Sequence, residues 1–198
     1  PPSLLILQLE IPLPTILQTI TTASSTSPHP TPILLNPAPA VPLPDSIYPS
    51  ITHLILNESE AALLTGREVE EVEAKEFDWS VVTGEFISKG VKNVVVTLGS
   101  KGAFWASSSL SSSSSSGQNI KQGFVPAEKV AKVVDTTAAG DTFVGAYAVA
   151  VVRAEGGGKG GDKAELDLEK VVKWACKASA RTVQKEGAQG SIPWADEV

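Results

Sequence analysis

The sequence predicts an α/β protein built on a doubly wound, mainly parallel sheet with flanking helices. Apolar runs with little polar alternation recur along the chain, as expected of strands covered on both faces. Helical patterns separate these runs, which is the alternation of parallel sheets joined by crossover helices. Of the 198 residues, 42% are hydrophobic, enough for one substantial core or part of a larger one.

The elements read in order. "SLLILQLE" is a strand, and "PLPTILQTITTASS" a helix with Ile16, Leu17 and Ile20 on one side. "PILLNPAPA" is a short apolar strand ended by prolines, and the Pro-rich stretch to Pro49 an extended connection. "THLILN" is a strand, followed by a short helix "ESEAALLTG" that Gly66 stops. The acidic "REVEEVEAKEFDW" reads as a solvated surface. A helix "SVVTGEFISKG" leads to the strands "VKNVVVTLG" and "GAFWAS". Residues 107–119 and 155–162, rich in serine and glycine, read as flexible insertions. "VVD" ends a further strand before a long buried helix, "LDLEKVVKWACKASARTVQKEG" is the last helix, and "AQGSIPWADEV" an irregular tail.

Composition excludes several roles. The net charge is −6 with 16 scattered Lys and Arg, so there is no basic footprint for nucleic acid or an anionic membrane. Cys176 is the single cysteine, which rules out an intrachain disulfide framework and suits a reducing compartment, the cytoplasm or also the nucleus. "PPSLLILQLE" lacks a basic n-region and is interrupted by Gln8 and Glu10, unlike a signal peptide or a membrane span. His29 and His53 have no metal-ligand company. There is no methionine, even at position 1, as expected of a fragment, a processed product or an incomplete gene model.

In parallel sheets, ligands sit where strands end and helices begin. Glu10, Asn57, "TLGSKG" and "DTTAAGD" occupy such places. In the last, Ala138, Ala139 and Gly140 leave backbone N–H groups unobstructed at a helix N-terminus, a cradle for phosphate charge. Asp141 beside it is either an N-cap or a base that takes a proton from an alcohol attacking phosphorus. Each neighbour also has a plainer role. Asn57 can cap a helix, Glu60 and Lys185 can face solvent, "GSKG" can be a turn, Cys176 can be a packed hydrophobe and Asp135 can end a strand.

"DTTAAGDTF" resembles the C-terminal signature of the ribokinase-like, or PfkB-type, carbohydrate kinases. "QLEIP", "LNPAPA", "NESEA" with "LTG", "TLGSKG" and "KEGAQGSIPW" match in the same order, and their combination is closest to the ribose-phosphorylating branch. The resemblance spans nearly the whole chain. It implies an ATP-dependent kinase that phosphorylates D-ribose at its 5-hydroxyl with Mg²⁺ and K⁺, serving ribose catabolism. A related sugar or nucleoside kinase, or a non-catalytic nucleotide-binding remnant, is the alternative.

Carried over by residue, the resemblance makes Asp141 the base, next to the sugar that Glu10 also contacts. Ala138, Ala139 and Gly140 become the anion hole, and Asn57 and Glu60 organise phosphates and Mg²⁺ through water. Thr97, Leu98, Gly99, Ser100, Lys101 and Gly102 line the nucleotide with Gly140, and Cys176 lies near the adenine. Asp135, Thr137, Thr182, Lys185, Gly187 and Ser191 surround K⁺, largely through backbone carbonyls. Family members are longer, so residues 1–198 correspond to a C-terminal nucleotide-binding and catalytic part. The Gly-Gly motif, most sugar contacts and a β lid would precede Pro1. The partners implied are a small sugar and ATP, with neither nucleic acid nor membrane, and the full-length parent could be a homodimer. Weak or no sugar phosphorylation is expected of the 198 residues alone.

Overall fold

The computed structural model describes residues 2–25, 28–109, 119–156 and 166–198. It contains two compact units, Pro1–Leu98 with Phe104–Gly123, and Gly99–Ala103 with Phe124–Val198. One six-stranded sheet runs in the order β1-β2-β3-β4-β5-β6. Its strands are β1 (Leu5–Leu7), β2 (Ile33–Leu35), β3 (His53–Asn57), β4 (Asn93–Thr97), β5 (Gly102–Ser109) and β6 (Asn119–Pro126).

In the first unit, β1 to β4 are parallel, with Leu5 opposite Ile33, Leu35 opposite Leu54 and Ile55 opposite Val95. Every residue of β2 and the first four of β3 are buried. Strands covered on both faces have no polar side to show, hence the missing alternation in the sequence. The Ser108 amide donates to the Lys92 carbonyl at 2.9 Å, placing the end of β5 beside the start of β4, so the sheet is mixed.

Helix α1 (Leu13–Ser25) buries Ile16 and Ile20. Pro14 stands in its first turn, where a missing N–H costs nothing. Helix α2 (Glu58–Thr65) follows β3 directly and stops at Gly66, whose left-handed φ of 66° lets its amide close onto Ala62 and Leu63. The acidic segment is less solvated than its composition suggests. It holds the short helix α3 (Val69–Val72), whose Val72 is buried, before α4 (Trp79–Ser88). The Pro-rich connection likewise contains a 3₁₀ turn, Asp45–Ser50, that buries Ile47 and Tyr48.

In the second unit, helices α5 (Ala139–Gly156) and α6 (Leu168–Thr182) pack together. Phe143, Tyr147 and Val151 on α5 and Val172, Ala175 and Ala178 on α6 are buried. No strand forms at "VVD". Val133 and Val134 are 54% and 48% exposed, and the amides of Val134 and Asp135 both donate to the Val183 carbonyl, at 2.8 and 3.3 Å. A β-branched run becomes a strand only where a ladder partner exists. Here one carbonyl beyond α6 takes both donors instead.

Of the two expected insertions, Ser107–Ser109 belong to β5, Asn119 opens β6, and Glu155 and Gly156 end α5. The rest, 110–118 and 157–162, lies outside the described residues. The tail holds one 3₁₀ turn, Gln189–Ser191. Among the described residues, no helix is long and apolar enough to cross a membrane.

Candidate active site

In the second unit, the "DTTAAGD" stretch becomes a tight entry into α5. Ala138 has φ 61°, the one non-glycine residue with positive φ among those described. That conformation costs roughly 1–2 kcal/mol in an L-residue and persists only where surroundings impose it. Three bonds impose it here. The Thr142 amide donates to the Ala138 carbonyl at 2.8 Å, the Ala139 amide to the Thr136 carbonyl at 3.2 Å, and the Ser179 hydroxyl to the Ala139 carbonyl at 2.9 Å.

This geometry corrects two expectations. The Ala139 amide already donates to the Thr136 carbonyl, so of the three expected anion-hole amides the one further into the first turn is that of Gly140. Asp141 is also not an N-cap. It is the third residue of α5, exposed, in a first turn where helix polarity favours negative charge. At Gly140 nothing stands within 4 Å of where a Cβ would be. The fold does not need a glycine there, whereas a ligand approaching the backbone would.

Of the residues expected around K⁺, Thr137 and Gly187 meet at Asp135. Its carboxylate accepts from the Thr137 amide and from the Gly187 amide, both at 2.9 Å. The bonds to Thr137, then that to Gly187, hold its pKa below the usual carboxylate range. Asp135 therefore ties residues 135–137 to the loop after α6 instead of ending a strand. Thr182 is fully buried, its hydroxyl 2.9 Å from Thr142 Oγ1, and its carbonyl accepts from the Lys185 amide at 3.1 Å. Ser191 is buried and donates to the Ala188 carbonyl at 2.7 Å. The Lys185 side chain is half exposed and lies 3.6 Å from Glu197. Gly187 has φ 88° with open space beside it. With these side chains committed, the available donors are backbone carbonyls, the neutral oxygens that suit a monovalent cation.

Cys176 is buried, and burial followed by the charge of Glu128 pushes its thiol up to about 11. It is a packed, unreactive side chain. One turn earlier on α6, Lys173 lines a cleft of about 390 Å³ with Pro126, Ala127, Glu128, Lys129 and Glu169, none of them singled out by the sequence. Gly99–Lys101 form a 3₁₀ turn, and the Lys101 carbonyl accepts from the Ala127 amide at 3.1 Å. At Gly102, φ is 125° and a Cβ would strike the backbone of Val125 and Ala127, so only glycine fits.

In the first unit, Asn57 and Glu60 form a closed capping box. The Glu60 amide donates to Asn57 Oδ1 at 2.8 Å, while the Asn57 amide and Nδ2 each donate to a Glu60 oxygen at 2.9 Å. Glu60 is buried, and burial raises its pKa against the opposing bond from the Asn57 amide. The cap reading of Asn57 thus describes its contacts, and Glu60 is no surface residue. An ionised carboxylate has about four acceptor sites. Glu60 has capacity left for a water beside Mg²⁺, which fits outer-sphere binding. Among the described residues no three His, Cys, Asp or Glu side chains cluster as direct metal ligands. Thr97 donates to the Leu56 carbonyl at 3.2 Å and Leu98 is buried. Glu10 is exposed just beyond β1.

Sequence reasoning passed over Ser179, although it lies midway between Cys176 and Thr182 at helical spacing on one face of α6.

Residues 3–195 match the model of the pfkB family of carbohydrate kinases. The ribokinase of Staphylococcus aureus (strain COL) is 36% identical over 191 residues, covering 96% of this chain and 53% of its own length. That of Schizosaccharomyces pombe is 36% identical over 192 residues, covering 96% and 52%. The solved structure of Arabidopsis thaliana ribokinase complexed with ribose and ATP superposes with a TM-score of 0.72 at 30% identity, covering 96% of this chain and 53% of that one. The chain spans about half the length of the relatives it matches.

Proposed function

Because the chain belongs to the pfkB family of carbohydrate kinases, we propose that a protein carrying it transfers the γ-phosphoryl group of ATP to the 5-hydroxyl of D-ribose. The observation that carries this reading is the 36% identity to ribokinases along 96% of the chain. The proposed setting is the cytoplasm and ribose breakdown, with a sugar and ATP as the small-molecule partners.

The roles proposed for single residues are those that the family resemblance implies, set beside what surrounds each residue here. Asp141, exposed in the first turn of α5, accepts the proton of the attacking hydroxyl. The Gly140 amide, held in line by the constrained Ala138, donates to a transferring phosphoryl oxygen, where a fixed dipole stabilises charge without reorganising. The turn Gly99–Lys101 and Gly102 present backbone to the nucleotide, and Cys176 packs near its base. Asn57 and Glu60 orient water around the metal. Mg²⁺ bound with the nucleotide would neutralise phosphate charge. K⁺ held by the carbonyls around Asp135, Thr137, Thr182, Lys185, Gly187 and Ser191 would steady the entry to α5.

Phosphoryl transfer depends on positioning, and the rate falls when the acceptor is not held. Coupled assays of ADP release with ribose, 2-deoxyribose, fructose, adenosine and 2-keto-3-deoxygluconate test the proposal. Ribose is expected to give the highest kcat/KM. Turnover of another acceptor with none of ribose would overturn the sugar assignment.

A further inference from the structure

We infer that Ser179 is a positioning residue for this phosphoryl transfer, holding from α6 the first turn of α5 in the shape that meets phosphate. The inference rests on the kinase reading above.

The Ser179 hydroxyl departs from the habit of the helical threonines on other helices among the described residues. Thr19, Thr21, Thr22, Thr65 and Thr83 each donate to the carbonyl four residues back on their own helix, the usual outlet for such side chains. Ser179 instead reaches across 40 positions of sequence to the Ala139 carbonyl at 2.9 Å. Its acceptor adjoins Ala138, whose φ of 61° is the one positive φ among the described non-glycine residues. One turn further along α6, the buried Thr182 makes a second tie, to Thr142, beside Asp141. The two ties bracket Ala139–Thr142, the stretch that presents the Gly140 amide and the Asp141 carboxylate.

The Ala139 carbonyl lies inside a helix, so losing Ser179 does not leave it bare. What is lost is the restraint on Ala138, and with it the aim of the amides that follow. The consequence is specific to ligands that place charge at this turn. A nucleotide with terminal phosphates feels it, and one without them does not.

The test uses a protein carrying residues 1–198 as wild type, Ser179→Ala and Ser179→Thr, with binding of ATP and of AMP measured by calorimetry in Mg²⁺ and K⁺. Hydrogen exchange of the amides in 138–142 and urea unfolding accompany it. Ser179→Ala should weaken ATP about fivefold, the scale of one hydrogen bond, and leave AMP unchanged. It should also speed exchange in 138–142 with little change in the urea midpoint. Ser179→Thr, which keeps the hydroxyl, should restore both. A wild-type protein that binds neither nucleotide removes the kinase reading and this inference together. Binding by the wild type with ATP and AMP affected alike, or with neither affected, overturns the inference alone.

Discussion

Replacing Asp141 with Asn separates chemistry from architecture. Asn is nearly isosteric and keeps an oxygen at the third position of α5, but it cannot take a proton from the acceptor hydroxyl. Removing a positioned general base costs about 10²–10⁴ in kcat, or roughly 3–5 kcal/mol of barrier. The structural cost is smaller. Asp141 is exposed and does not cap α5, and the charge lost from a first turn is worth about 0.3–1 kcal/mol. A steady-state assay of ADP release, paired with thermal unfolding of the same preparations in the protein carrying this segment, reads both quantities. The expected result is a kcat lower by at least two decades, ATP affinity changed by a much smaller factor, and a nearly unmoved unfolding midpoint. A kcat within a few-fold of wild type would refute the assignment of the base. A collapsed midpoint would refute the argument that Asp141 is dispensable to the fold.

Two glycines should behave oppositely. Gly140→Ala should leave stability intact, since a Cβ there meets nothing, and weaken ATP binding in a titration. Gly102→Ala should cost about 3 kcal/mol or more in urea unfolding, because positive φ and a backbone collision act together. His53, buried on β3, is held down to about 4 by burial, with the charge of Lys92 adding to it. The unfolded chain therefore takes up its proton first, near the ordinary 6.5. This group's contribution is intact above that pH and falls by up to about 3 kcal/mol as pH drops toward 4. His53→Gln should flatten that limb of the urea midpoint against pH, and an unchanged slope would count against it. Exchanging K⁺ for Na⁺ should slow sugar phosphorylation in matched buffers, as the smaller ion fits a carbonyl-lined site poorly. Equal rates would take the ion out of the mechanism.

What the sequence disclosed was mostly local. The cap at Asn57 and the stop at Gly66 are set by residues within one or two turns, and their signatures are legible in a single string, whereas the return bond from Glu60 was not read there. The unbroken apolar runs of β2, β3 and β4 foretold strands buried on both faces. Non-local facts were hidden. "VVD" has the composition of a strand, yet whether a partner strand waits for it is a property of the whole fold. The ban on a side chain at Gly102 comes from Val125 and Ala127, and nothing near Gly102 in sequence signals it. Asp135 looked like a strand terminator until its carboxylate was seen to join two segments 52 positions apart. Ser179 is silent for the same reason, because a serine within a helix acquires meaning only from the carbonyl that another helix brings to it.

The central claim is that this segment serves a ribose-phosphorylating kinase. Its most direct test is ³¹P NMR of a protein carrying residues 1–198, incubated with ATP, Mg²⁺, K⁺ and ribose. The account predicts a growing phosphomonoester resonance that co-migrates with added ribose 5-phosphate, matched by the β-phosphate signal of ADP and absent when Asp141 is Asn. No phosphomonoester from ribose, in a preparation that phosphorylates another acceptor under the same conditions, would contradict it.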